Sequence, residues 1–152
     1  MRIRSTAPAA LLVAALAGTL LATAPSASAA TSPVQISKVQ YDSPGKDTRS
    51  NKSLNGEWVR LQNRSRSTVS IKGWKVTDAS RHSYTFGSVT LKRNQSVTVY
   101  TGKGKNTTAS KYQGRGAYVW NNDRDTATLT DSHGKKKDSV SWSHPGKGYI
   151  TS

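Results

Sequence analysis

Three histidines, His82, His133 and His144, and the acid- and amide-rich stretch from Asn121 through Asn122, Asp123 and Asp125 to Asp131 are the residues best equipped for chemistry. Histidines near aspartates can support metal-assisted phosphodiester cleavage, and a dense set of oxygen ligands suits calcium. The spacing speaks against both. The chain has no HxxxH or HExxH pattern, so only folding can bring the histidines together. The Asp123, Asp125 and Asp131 group lacks the glycine and terminal glutamate of an EF-hand loop, and Arg124 puts a positive charge among the would-be ligands. A hairpin turn capped by Asx side chains accounts for it equally well. A Ser-His-Asp grouping can be drawn from any serine-rich chain and carries no specificity, and Glu57 is the sole glutamate. No catalytic constellation emerges, and no cofactor is expected. A small exported metal-dependent hydrolase stays as the alternative, with a compact pocket joining two histidines and an aspartate as its signature.

The basic groups point to binding. Arg64 and Arg66, Lys103 and Lys105, and Lys135, Lys136 and Lys137 lie in links and turns, with Tyr112, Tyr118 and glycine-rich backbone nearby. Such groups can hold phosphates and stack bases, or simply keep a β-rich surface from pairing edge to edge. Formal net charge is +15, and Lys and Arg run from Lys38 to Lys147 without gathering in one tail. A charge of this size attracts polyanions. The expected partners are nucleic acid outside the cell or an anionic cell-envelope polymer. Without a helix for the major groove, a salt-sensitive, phosphate-dominated interaction is expected rather than base readout. A protein partner docking on a sheet edge or an aromatic patch is the other binding alternative, and an apolar surface patch would mark it.

The elements that must position these residues read as short strands. Glu57, Val59 and Leu61 alternate with Trp58, Arg60 and Gln62, the period of a strand with two different faces. Strands are expected at 34–41, 57–62, 68–71, 74–77, 82–86, 88–91, 96–101, 117–121, 126–130 and 138–142, about nine short strands in all. The polar stretch 42–55 and the Gly- and Lys-rich stretch 102–116 read as loops, and no run has amphipathic helical spacing. The tail from Ser143 reads as mobile, with Tyr149 and Ile150 able to pair late. The pattern predicts an all-β, antiparallel sandwich with Greek-key connections. Its core is expected from Val34, Ile36, Trp58, Leu61, Val69, Ile71, Trp74, Val76, Phe86, Leu91, Val97, Val99, Val119, Leu129, Val140 and Trp142, with Trp58 and Val59 interchangeable.

The order of landmarks adds a resemblance. Tyr41-Asp42-Ser43-Pro44-Gly45 leads to Asn55-Gly56-Glu57-Trp58-Val59, then Gly73-Trp74 and Tyr84-Thr85-Phe86. Tyr118-Val119-Trp120-Asn121-Asn122, Asp125-Thr126-Ala127-Thr128-Leu129 and Asp138 with Trp142 follow. This series, from about Val34 to Trp142, resembles the lamin-tail domain, in particular small exported actinobacterial members. Arg124 stands where such domains often carry glycine, and Ser139-Val140-Ser141 lacks a cysteine common in relatives. The resemblance implies an immunoglobulin-like sandwich acting as a non-enzymatic binding or surface module. Relatives in nuclear lamins contact DNA, histones and membrane-linked partners, and bacterial ones occur in exported and surface proteins, often beside nucleases.

The first thirty residues read as an address. Arg2 and Arg4 precede an Ala-, Leu- and Val-rich run from Ala9 to Ala24, closed by Ala27-Ser28-Ala29-Ala30. That is the layout of a secretory signal peptide, with cleavage after Ala29 or Ala30, and the apolar run is too short for a spanning helix. Export, with no stable membrane insertion after cleavage, is expected. The remaining 31–152 suffice for one domain. With no cysteine, packing and hydrogen bonds must stabilise it without the disulfides usual in small exported proteins.

Overall fold

In the computed structural model, residues 31–143 and 146–152 are described, so the expected signal peptide and His144 lie outside the described residues. Twelve elements follow in order. They are β1 (Val34–Gln40), α1 (Asn51–Leu54), β2 (Trp58–Asn63), β3 (Val69–Ser70), β4 (Lys75–Thr77) and β5 (Ser83–Thr85). Then come β6 (Thr90–Leu91), β7 (Ser96–Tyr100), β8 (Ser110–Tyr112), β9 (Asp125–Thr130), β10 (Lys136–Trp142) and β11 (Tyr149–Thr151). A five-stranded sheet in the order β11-β1-β2-β7-β8 faces a four-stranded sheet in the order β10-β9-β4-β5, and β3 pairs with β6 at the side. The all-β immunoglobulin-like sandwich expected from the sequence is the fold observed. Among the described residues no helix is long and apolar enough to cross a membrane.

Alternation decides which face turns inward. Val34, Ile36, Val39, Val59, Leu61, Val97 and Val99 from one sheet meet Val76, Ala127, Leu129 and Val140 from the other, all buried in one apolar cluster. The irregular register between Ile36 and Lys38 keeps both Ile36 and Val39 inside although they are an odd three positions apart. Two expected core residues are only partly buried: Val69, which packs against the edge of the cluster, and Trp58. Val59 and Leu61 occupy the inner face, so their neighbour Trp58 stands on the outer face and is only partly buried. Burial also takes in residues the alternation did not single out: Tyr41, Leu54, Val89 and Trp120.

Four departures from the expected elements have identifiable causes. The stretch 42–55 contains one helical turn, whose N-cap Ser50 accepts the Ser53 N–H; four residues are too few to show a helical period. Ser110–Tyr112 forms a strand inside the expected loop and runs parallel to β7, the one parallel pair in an otherwise antiparallel arrangement. The segment after Ser143, read as a mobile tail in which Tyr149 and Ile150 could pair late, carries the strand β11, and that late pairing forms, Tyr149 with Gln40 and Ile150 with Val39. The strand expected at 117–121 is absent. There the backbone N–H groups of Val119 and Trp120 donate to the carboxylate of Glu57, which takes the place of a neighbouring strand. The result is eleven short strands instead of about nine.

Candidate functional site

Asn63 closes β2 and organises the end of the sandwich where the arginines emerge. It is fully buried. Its Nδ2 donates to Ser67 O at 2.7 Å and Leu91 O at 2.8 Å, and its Oδ1 accepts the Ser65 N–H and hydroxyl. Its backbone N–H and carbonyl bind Gln95 and Asn94 of the β6–β7 turn. Two loops are thereby fastened together, and Arg64, Arg66, Lys92 and Arg93 project from them as exposed side chains.

The β9–β10 turn reaches the same end from the other sheet. Asp138 Oδ2 accepts the Ile36 N–H at 2.7 Å, and the stack of Tyr41 on Trp142 fixes the direction of β10 along β1. Lys135 and Lys136 therefore lie beyond Ile36, toward Asn63. Lys137 Nζ stands 4.0 Å from Asp131 Oδ2 and lies over the Trp74 ring. Burial pushes the Asp131 carboxyl up, but the N–H groups of Lys135 and His133 and the charges of Lys137 and His133 hold it below the usual carboxylate range.

Lys103 and Lys105 are elsewhere. They follow β7, whose Tyr100 pairs with Trp58 at the start of β2, so roughly 20 Å of strand separates them from Arg64. The Lys103 backbone is pinned by Asn51 and Asn55: its carbonyl accepts both amides and its N–H donates to Asn51 Oδ1. The sequence candidates thus divide into Arg64, Arg66, Lys135, Lys136 and Lys137 at one end and Lys103 and Lys105 at the other. Lys92 and Arg93 join the first group, and nothing in local spacing signals that.

The candidate metal ligands do not converge. Asp125 opens β9 and Asp131 follows its last residue, again about 20 Å of strand apart. Asp125 is buried and spends its oxygens on the N–H groups of Ala79, Asn121 and Thr126. It is a turn cap, as Asx chemistry predicts. No group of three or more metal-ligating side chains occurs among the described residues. Arg124 adopts no positive φ, so the glycine usual at that place in the resembling domains is not needed here. His82 is bonded to Asp78 at 2.7 Å in the β4–β5 turn. His133 sits in the β9–β10 turn at the opposite end of the β4–β9 pair. The compact histidine pocket that would mark a hydrolase is not formed by His82 and His133.

The residue that sequence reasoning passed over is Glu57. Its side chain is 1 % exposed. Oε1 accepts the Thr101 hydroxyl at 2.6 Å and the Val119 N–H at 2.8 Å, and Oε2 accepts the Trp120 N–H at 3.2 Å. Burial pushes the carboxyl up to about 7, against the downward pull of those three donors. Gly56 permits this placement, since a Cβ there would lie 2.3 Å from Ser43 Oγ. The signal was present: Glu57 shares its strand face with Val59 and Leu61, so it had to point inward.

Set against known protein families, the chain matches the family described as Lamin Tail Domain over residues 27–144. No curated protein matches it.

Proposed function

The chain belongs to the Lamin Tail Domain family, and on that premise we propose that it is an exported, non-enzymatic interaction module that holds anionic polymers at one end of its sandwich. The observation that carries this reading is that Arg64, Arg66, Lys92, Arg93, Lys135 and Lys136 lie at one end of the sandwich, the end of the Asn63 loops and of the β9–β10 turn. Among the described residues the ion pairs with Asp are Lys137 with Asp131 and His82 with Asp78, so none of these six cations pairs with Asp or Glu there, and Arg64 alone is engaged, donating to Ser152 O at 2.6 Å. Exposed, uncompensated cations set by rigid turns attract phosphate or sulfate and release counterions on binding. The Ala-rich leader with Arg2 and Arg4 supports export. The separation of His82 from His133 speaks for binding over hydrolysis.

Binding of the purified chain to a DNA duplex and to an anionic polysaccharide across a salt series tests the reading. Affinity should fall steeply with salt for both polymers. The Arg64→Gln/Arg66→Gln double variant should reduce the slope of log K against log salt by about two, while Lys103→Gln/Lys105→Gln should change it less. Binding that withstands salt, or depends chiefly on the Lys103 end, would refute it.

A further inference from the structure

The outer face of the five-stranded sheet presents aromatic side chains in one row and cations in the next. Register places Tyr149, Gln40, Trp58, Tyr100 and Tyr112 opposite one another on successive strands. With strands about 4.8 Å apart, the row spans roughly 19 Å. The adjoining row runs Thr151, Lys38, Arg60, Thr98 and Ser110. Lys38 Nζ lies 3.9 Å from the centroid of the Tyr149 ring and 5.4 Å from that of Trp58, and the Arg60 guanidinium lies 4.8 Å from Trp58. Tyr100 and Tyr112 stack at 5.2 Å. Gly104 approaches the Tyr112 ring so closely that a Cβ would sit 2.4 Å from it, so the loop after β7 braces that end of the row. None of the five strands contains an aspartate or a glutamate.

We infer that this face is a stacking platform for single-stranded nucleic acid. The charge of the face selects an anion, because its cations meet no carboxylate within the sheet. The aromatic row selects a polymer with flat apolar groups at short intervals. Bases stacked on aromatic side chains beside a backbone held by Lys and Arg satisfy both requirements. Duplex DNA hides its base faces, and a neutral polysaccharide would leave Lys38 and Arg60 unused. Lys38 and Arg60 already lie over ring faces, so a phosphate that draws a cation aside opens the ring beside it to a base. The inference goes beyond the polyanion reading, since it uses none of the cations at the Arg64 end.

The test is titration of the purified chain with a twelve-nucleotide oligothymidylate and with an abasic oligomer of equal length and charge, followed by tryptophan fluorescence and, for every variant, by the anisotropy of a dye on the oligomer. The thymidylate should quench fluorescence and bind about tenfold or more tightly than the abasic oligomer. Trp58→Ala should remove that advantage, and Tyr149→Ala and Arg60→Gln should weaken thymidylate binding several-fold. Arg64→Gln/Arg66→Gln should leave the advantage intact. Tyr149 lies on an edge strand and Arg60 is exposed, so those two variants keep the test informative if Trp58→Ala fails to fold. Equal affinity for the two oligomers, or thymidylate binding unaffected by all three platform variants, would overturn the inference while leaving the polyanion reading standing. Quenching by neutral glucan oligomers but not by thymidylate would overturn it in favour of a sugar platform. Binding of neither oligomer would overturn both readings.

Discussion

Glu57 and Val119, 62 residues apart in the chain, are joined by a 2.8 Å hydrogen bond from the Val119 backbone N–H to the buried carboxylate. With Trp120 and Thr101 as further donors, one side chain anchors a stretch of backbone that has no strand beside it.

This arrangement carries a pH dependence. The folded-state value of Glu57 lies near 7, against 4.5 for an unperturbed glutamate. The native state therefore binds the proton more readily than the unfolded chain. The associated stability is fully present below about 4.5 and is lost as pH rises through 7, a change of roughly 3 kcal/mol at most. Urea unfolding should show a falling midpoint between pH 5 and pH 8, and Glu57→Gln should flatten that fall. An equal slope in the variant would show that another group is responsible.

Asn63 is matched to its site in both directions, donating to two carbonyls and accepting from Ser65. Asn63→Asp keeps the shape but turns an acceptor toward Ser67 O and Leu91 O. The cost should be about 3 kcal/mol, since buried acceptors would face each other unpaired. Denaturant titration at pH 7 checks this, and a loss below about 1 kcal/mol would contradict the account.

Trp142 and Trp58 should respond differently to truncation. Trp142 is 7 % exposed, stacks on Tyr41 with ring centroids 4.8 Å apart, and donates its Nε1–H to Asn121 O. Trp142→Ala should cost about 3–5 kcal/mol. Trp58→Ala removes a partly covered ring from the outer face and should cost roughly 1 kcal/mol. Parallel unfolding curves of the two variants decide the order.

Quenching can report the surroundings of Trp58 directly. Trp74, Trp120 and Trp142 are all buried, so added quencher should reach mainly Trp58. Lys38 and Arg60 lie over its ring, so iodide should quench it several-fold more effectively than caesium at low salt. The difference should disappear in Trp58→Phe. Equal quenching by the two ions would mean the cations do not shape the field at that ring.

The fold was largely legible because it rests on local periodicity. Val59 and Leu61, or Val97 and Val99, reveal a buried face wherever one side of a strand meets the core. The same rule settled Trp58 once Val59 and Leu61 were inside, and it places Glu57 among them. The short and irregular pieces were not legible. Residues 117–121 have strand-like composition, yet a strand needs a partner and that backbone found a carboxylate. Ser110–Tyr112 lies in a glycine- and lysine-rich stretch that reads as loop, and becomes a strand only because β7 offers an edge.

Sequence alone determined the all-β character and most of the apolar core, because both follow from residue type and a two-residue period along the chain. It also determined the large positive charge and the lack of any disulfide, which are matters of composition. Only the tertiary structure decided which charges are neighbours. Arg64 and Lys135 share one end while Lys103 is carried to the other, and Tyr149 comes to lie in the same row as Trp58. Such placements depend on strand order and register, which are set by packing between segments far apart in the chain.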